Sequence, residues 1–178
     1  MIEVLLVRTR AEAVPPVAKT LLIRFPTPLA LASADPCELE NSLTPLGLFR
    51  KRAKALLGLS NRLLEEYGGE VPHDEVSLLS LPYVGRYAAN AVLCFYFDLR
   101  RPVVDANVAR VFSRYFAAPI PSGKLDANDD IWELARSLLP KNYVKTYNWS
   151  LIDLGGTICR PRMPKCERCP IEDGCKKY

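Results

Sequence analysis

Four cysteines near the end of the chain constrain it most. Cys159, Cys166, Cys169 and Cys175 are separated by six, two and five residues. A thiol quartet this tight can wrap one small inorganic centre: an iron–sulfur cluster held by four thiolates, or a zinc ion. Structural zinc more commonly takes two close cysteine pairs set apart, whereas here the first cysteine stands alone. The spacing therefore favours iron–sulfur and leaves zinc open. Arg160, Arg162, Lys165 and Arg168 sit among the cysteines. Such cations offset the negative charge of a tetrathiolate centre and leave a basic rim for a polyanion.

Disulfides are the competing use of cysteine, and they suit small secreted chains that lack a core. This chain has 178 residues, 49% of them hydrophobic, enough for a core of one domain or two small lobes. Residues 1–7 are apolar but short, broken by Glu3, and lack the basic start of a secretory signal. No stretch is long and apolar enough to span a bilayer. The chain thus reads as soluble, cytoplasmic and free of membrane partners. Cys37 and Cys94 fall on expected helical faces and read as small buried hydrophobes. The net charge of +4 says little alone, but Arg50-Lys51-Arg52-Ala53-Lys54 and the cysteine loop are local basic patches.

Helical periodicity recurs almost throughout, and no strand alternation is found. Pro15-Pro16 separates two early helical segments. Asp35-Pro36 reads as an N-cap followed by proline at the first helical position. Residues 49–67 form a long basic helix ended by Gly68-Gly69. A short helix opens at Pro72–Glu75, and a turn at Leu81–Gly85 leads into an apolar helix to about Phe97. Asp105 precedes a helix to about Tyr115. Further helices span Ile131–Leu139 and Tyr143–Ile158, after a loop at Pro119–Asp129.

Two of these junctions carry chemistry. Leu81-Pro82-Tyr83-Val84-Gly85-Arg86 joins two helices through a tight hairpin. Amides at the start of the second helix are unpaired and can hold a phosphate at the positive end of the helix dipole. This is a helix-hairpin-helix pattern, a grip on a nucleic-acid backbone that ignores sequence. The second junction is Val104-Asp105-Ala106-Asn107-Val108-Ala109-Arg110-Val111. Asp105 reads either as an N-cap or as a carboxylate placed for catalysis.

Together with the cysteine quartet, these segments make the chain resemble the helix-hairpin-helix DNA glycosylase superfamily that includes endonuclease III. The resemblance covers almost the whole chain, from Glu3 to Cys175, in the family's order and spacing. It implies an all-α, two-lobed fold with DNA bound across the cleft between lobes: a helical barrel lobe at 1–116, with the hairpin at about 74–97, and a cluster lobe at 117–178. It also implies a [4Fe-4S] cluster on the four cysteines, structural rather than redox-active in catalysis. In that family a further segment precedes the position of Glu3.

Three positions speak to the branch. Tyr87 stands where bifunctional endonuclease III carries a lysine nucleophile; a phenol cannot form an imine, so the lyase route is missing. Glu3, in Glu3-Val4-Leu5-Leu6-Val7-Arg8-Thr9, matches a glutamate that enters the base pocket of the adenine and thymine-mismatch branches. Trp149 replaces the glutamine with which adenine glycosylases read their base. The set is most similar to archaeal-type thymine glycosylases acting on G·T and G·U mismatches. The implied enzyme is a prokaryotic, nucleoid-associated monomer that hydrolyses the N-glycosidic bond and leaves an abasic site. Asp105 would stabilise the sugar cation, Glu3 would contact or protonate the base, and Tyr87 would line the pocket. Leu81, Pro82, Tyr83, Val84, Gly85, Arg86, Arg8, Asn107 and Trp149 would contact the DNA. The alternatives are adenine removal opposite G or 8-oxoguanine, and a non-catalytic DNA-binding iron–sulfur protein.

Overall fold

Proline and short polar caps start most of the helices. The structure, a computed structural model, describes residues 1, 5–6, 9, 11–118 and 125–176; Glu3 and Arg8 lie outside them. Among the described residues there are helices and turns and no strand. The chain falls into two compact units, residues 1–88 and 89–178.

In the first unit, α1 spans Val14–Arg24, α2 Pro28–Ala32, α3 Pro36–Leu43 and α4 Phe49–Tyr67. Pro15 and Pro16 lie in the first turn of α1, where a missing N–H leaves nothing unpaired, so they open a helix rather than separate two. Helix α2 was not expected from the sequence; Thr27 caps it by accepting from Ala30 N at 3.1 Å. Asp35 caps α3 by accepting from Glu38 N at 2.9 Å, as expected. Leu39 and Leu43 of α3 and Leu56 of α4 are fully buried, and α2 and α3 both pack on α4. Helix α4 ends at Gly68, whose φ of 60° is the left-handed cap that glycine adopts without strain.

Two expectations fail in this unit. Cys37 is exposed, in the first turn of α3, not buried. The basic run of α4 does not form one solvated face: Arg52 is only 4% exposed. Its guanidinium donates to Gly47 O and Leu5 O, each at 2.9 Å, and to the Thr9 hydroxyl. Arg52 occupies an inward helical position on the face of Ala53, Ala55 and Leu56, so periodicity turns it into the unit while Arg50, Lys51 and Lys54 face out.

The hairpin follows as α5 (Glu75–Ser80) and α6 (Arg86–Ala91), the latter running on as a π-helical turn over Val92–Tyr96. Beyond it come α7 (Ala106–Tyr115), α8 (Asp129–Ser137) and α9 (Val144–Asp153), with a second π-helical turn over Leu154–Ile158. The second unit's core joins Val104, Val108, Val111 and Phe112 to Ile131, Trp132 and Ala135, with Cys159 packed against it. Helix α7 shares this core with α8, within the second compact unit.

Candidate active site and cysteine loop

Asp74 opens the hairpin by capping α5, accepting from Ser77 N at 2.9 Å. That bond holds the Asp74 carboxyl below the ordinary carboxylate range. Leu81 is buried and anchors the turn, and Val84 N donates to Leu81 O at 3.3 Å. Tyr83 has φ 64°, in the region glycine prefers, and its side chain is exposed. Tyr83 shares a surface groove of about 360 Å³ with Pro36, Glu40, Arg50, Lys54 and Gly58. Pro82, Gly85, Arg86 and Tyr87 are partly buried, with Arg86 and Tyr87 opening α6.

Asp105 is the N-cap of α7. Its Oδ1 accepts from the backbone N–H groups of Asn107 at 2.9 Å and Val108 at 2.8 Å. Its Oδ2 accepts from Asn107 Nδ2 at 2.8 Å. Both readings offered by the sequence are therefore compatible. Oδ1 is used by the helix, while the partly exposed carboxylate keeps an acceptor site on Oδ2. Asn107, which also accepts from Arg110 Nη2 at 2.8 Å, is turned to this carboxylate. Arg110 donates in turn to Gly155 O at 2.7 Å and to Cys159 O at 2.8 Å. Burial lowers the Arg110 pKa, while Cys159 and Asp105 act in the opposite sense. The carboxylate is thus linked through Asn107 and Arg110 to the backbone that enters the cysteine loop.

Asn148 ties α9 to the segment leading into Asp105. It is 1% exposed. Its Oδ1 accepts from Val103 N at 3.1 Å, and its Nδ2 donates to Arg101 O at 3.0 Å and Cys94 Sγ at 3.3 Å. Cys94 is buried, as expected, and burial pushes its thiol pKa up. Trp149 is 51% exposed and stacks on Phe95, with ring centres 4.2 Å apart and planes 16° from parallel.

Cys159, Cys166, Cys169 and Cys175 are all free thiols and line one cavity of about 30 Å³ with Arg114, Ile158, Pro164 and Glu172. Among the described residues, no three His, Cys, Asp or Glu side chains stand close enough to share a single metal ion. Nearby, Arg160 Nε is a buried donor with no acceptor. Four thiols around one cavity, edged by the Arg114 guanidinium, fit a negatively charged tetrathiolate group.

Arg110, Arg114, Asn148 and Gly155 had no assigned role in the sequence reading. Arg110 and Arg114 had a legible signal: two cations one turn apart on the helix that Asp105 opens. Gly155 and Asn148 had none, because only their tertiary neighbours single them out.

The pattern of the HhH-GPD superfamily base excision DNA repair proteins matches residues 1–137. The thymine/uracil-DNA glycosylase of Methanothermobacter thermautotrophicus is 34% identical over 177 residues, 99% of this chain and 79% of the relative. The adenine DNA glycosylase of Mycolicibacterium smegmatis is 36% identical over 171 residues, 95% of this chain and 57% of the relative. The structure of a thermostable thymine-DNA glycosylase superposes with a TM-score of 0.92 at 33% identity, covering 99% of this chain and 81% of that one.

Proposed function

This chain belongs to the HhH-GPD superfamily of base excision DNA repair proteins, and we propose that it hydrolyses the N-glycosidic bond of thymine or uracil mispaired with guanine. The observation that carries the reading is the Asp105 carboxylate, partly exposed at the start of α7 and held by three N–H donors. The likeness to a thymine-DNA glycosylase over nearly the whole chain supports the choice of base.

A base inside a duplex is out of reach, so the nucleotide must leave the stack, and a mispaired one leaves at lower cost. Hairpin amides at 85–86 and outward cations such as Lys54 hold phosphates meanwhile. As the C1′–N bond lengthens, positive charge grows on the sugar. The fixed Asp105 carboxylate stabilises that charge, orients the attacking water and accepts its proton as the bond to C1′ forms. The leaving pyrimidine carries away the bonding electron pair and accepts a proton, for which Glu3 is the proposed donor. Tyr87 stands where an amine nucleophile would be needed for strand cleavage, so the product is an abasic site in an intact strand. Trp149 offers an aromatic face on which an extruded base can stack.

The four cysteines are proposed to hold a [4Fe-4S] cluster, which would supply the iron sites that their thiolates bind and so anchor the loop for docking on DNA. Cys159, Cys166, Cys169 and Cys175 would be its ligands, and Arg114 a cation lining the same cavity.

Duplexes carrying G·T, G·U, G·A or an oxidised pyrimidine, incubated with the protein and then treated with alkali, test the reading. Strand breaks at G·T and G·U that require alkali are expected. Breaks without alkali contradict the monofunctional assignment. Breaks confined to adenine point to the adenine branch, and retained binding with no product points to a non-catalytic protein.

A further inference from the structure

One side chain of α7 reaches into the cysteine cavity itself. Arg114 Nη1 lies 3.4 Å from Cys159 Sγ and donates to Arg160 O at 2.8 Å. Its Nη2 donates to Pro161 O at 3.0 Å. Its own carbonyl accepts from Cys175 Sγ at 3.7 Å. Arg114 therefore touches the first and last cysteines of the quartet, and it lines the same cavity as all four.

We propose that Arg114 is a positioning residue that tunes the metal centre through an N–H···S hydrogen bond to Cys159. The inference rests on the tetrathiolate cluster proposed above. Two loop carbonyls fix the planar guanidinium, so the direction of Nη1 toward the sulfur is set before any metal arrives. A hydrogen bond to a ligand sulfur withdraws electron density from it. That favours the reduced, more negative state of the cluster and raises its reduction potential. It also makes the Cys159 corner harder to displace by water or chelator. The fork geometry matters as well as the charge: lysine at this position would bring a cation without two carbonyl-directed N–H groups. Arg110, one turn earlier, bonds the carbonyl of Cys159 and not its sulfur, so the two arginines divide the work between backbone and ligand.

The test uses the full-length protein reconstituted with iron and sulfide, as wild type, Arg114→Gln, Arg114→Lys and Arg162→Gln. The last removes an equal charge from an exposed part of the same loop. Iron and sulfide content, the visible cluster absorbance, its bleaching rate under chelator, and the reduction potential are measured. Arg114→Gln is expected to bleach roughly tenfold faster or more and to have a lower potential, with Arg114→Lys between it and wild type. Arg162→Gln, which removes one cation of the basic rim but no N–H···S bond, is expected to shift potential and bleaching less than Arg114→Gln; an equal shift would make charge alone the cause and overturn the inference. An Arg114→Gln protein with wild-type potential and bleaching overturns the inference while leaving the cluster intact. A wild type that takes up no cluster overturns the cluster assignment and the inference with it. If Arg114→Gln does not load, Arg114→Lys decides: a lowered potential supports the role, an unchanged one overturns it. If neither loads, unchanged melting of both unloaded variants supports action at the sulfur. Lowered melting of both makes Arg114 a fold-holding residue and overturns the proposal.

Discussion

Gly155 and Asn107 meet so closely that no side chain fits between them. A Cβ on Gly155 would stand 2.6 Å from Asn107 Cβ and 2.9 Å from its carbonyl oxygen. Asn107 is the residue that donates to Asp105 Oδ2, so the pressure would reach the carboxylate. Gly155→Ala is therefore expected to lower single-turnover base removal roughly 10- to 100-fold, because small displacements of a reacting group weigh heavily on rate. Duplex affinity should change little. Single-turnover kinetics beside a binding titration separate the two, and wild-type kinetics in the variant would break the proposed link from Gly155 to Asp105.

The run Arg50–Lys54 should split in mutagenesis as it does in space. Arg52→Met leaves the carbonyls of Gly47 and Leu5 without their donor. Stability should fall by about 2–3 kcal/mol, or roughly 4–12 °C in Tm. Lys54→Ala removes an exposed cation. It should leave Tm unchanged, weaken binding to all duplexes alike and reduce the salt slope by about one. Thermal melting and salt-dependent binding read both, and the reverse pattern would contradict the assignment of Arg52 to the interior.

Tyr83 is held at φ 64° in the hairpin turn. A left-handed conformation costs an L-residue roughly 1–2 kcal/mol, while glycine there takes back about 0.4–1 kcal/mol through the unfolded chain. Tyr83→Gly should raise Tm by about 2–4 °C. It should also weaken duplex binding, since the exposed ring belongs to the proposed DNA surface. A lowered Tm would show that the ring's contacts outweigh the backbone strain.

Local patterns carried most of the helices into view. Asp35-Pro36, Asp74 and Asp105 are caps that can be read from neighbours in sequence, and the glycine pair after Tyr67 ends its helix as expected. What the sequence concealed depends on distant partners. Arg52 looks like its solvated neighbours until Gly47 and residues 5 and 9 fold over it. The short helix Pro28–Ala32 has too few residues for periodicity to register. The bonds of the Asn107 carboxamide to Asp105 and Arg110 likewise come from the folded helix and not from any pattern in the sequence. The convergence of the four cysteines on one cavity was legible because their spacing is local; the arginine beside them was not, since Arg114 meets Cys159 only through tertiary packing.

Asp105→Asn tests the central claim most directly. Asparagine caps helices as well as aspartate does, so the start of α7 should hold and Tm should stay near wild type. The negative charge that would stabilise the sugar cation is removed. The account predicts wild-type affinity for a G·T duplex with thymine release slowed at least about 100-fold. Release at the wild-type rate from a folded Asp105→Asn protein would contradict it.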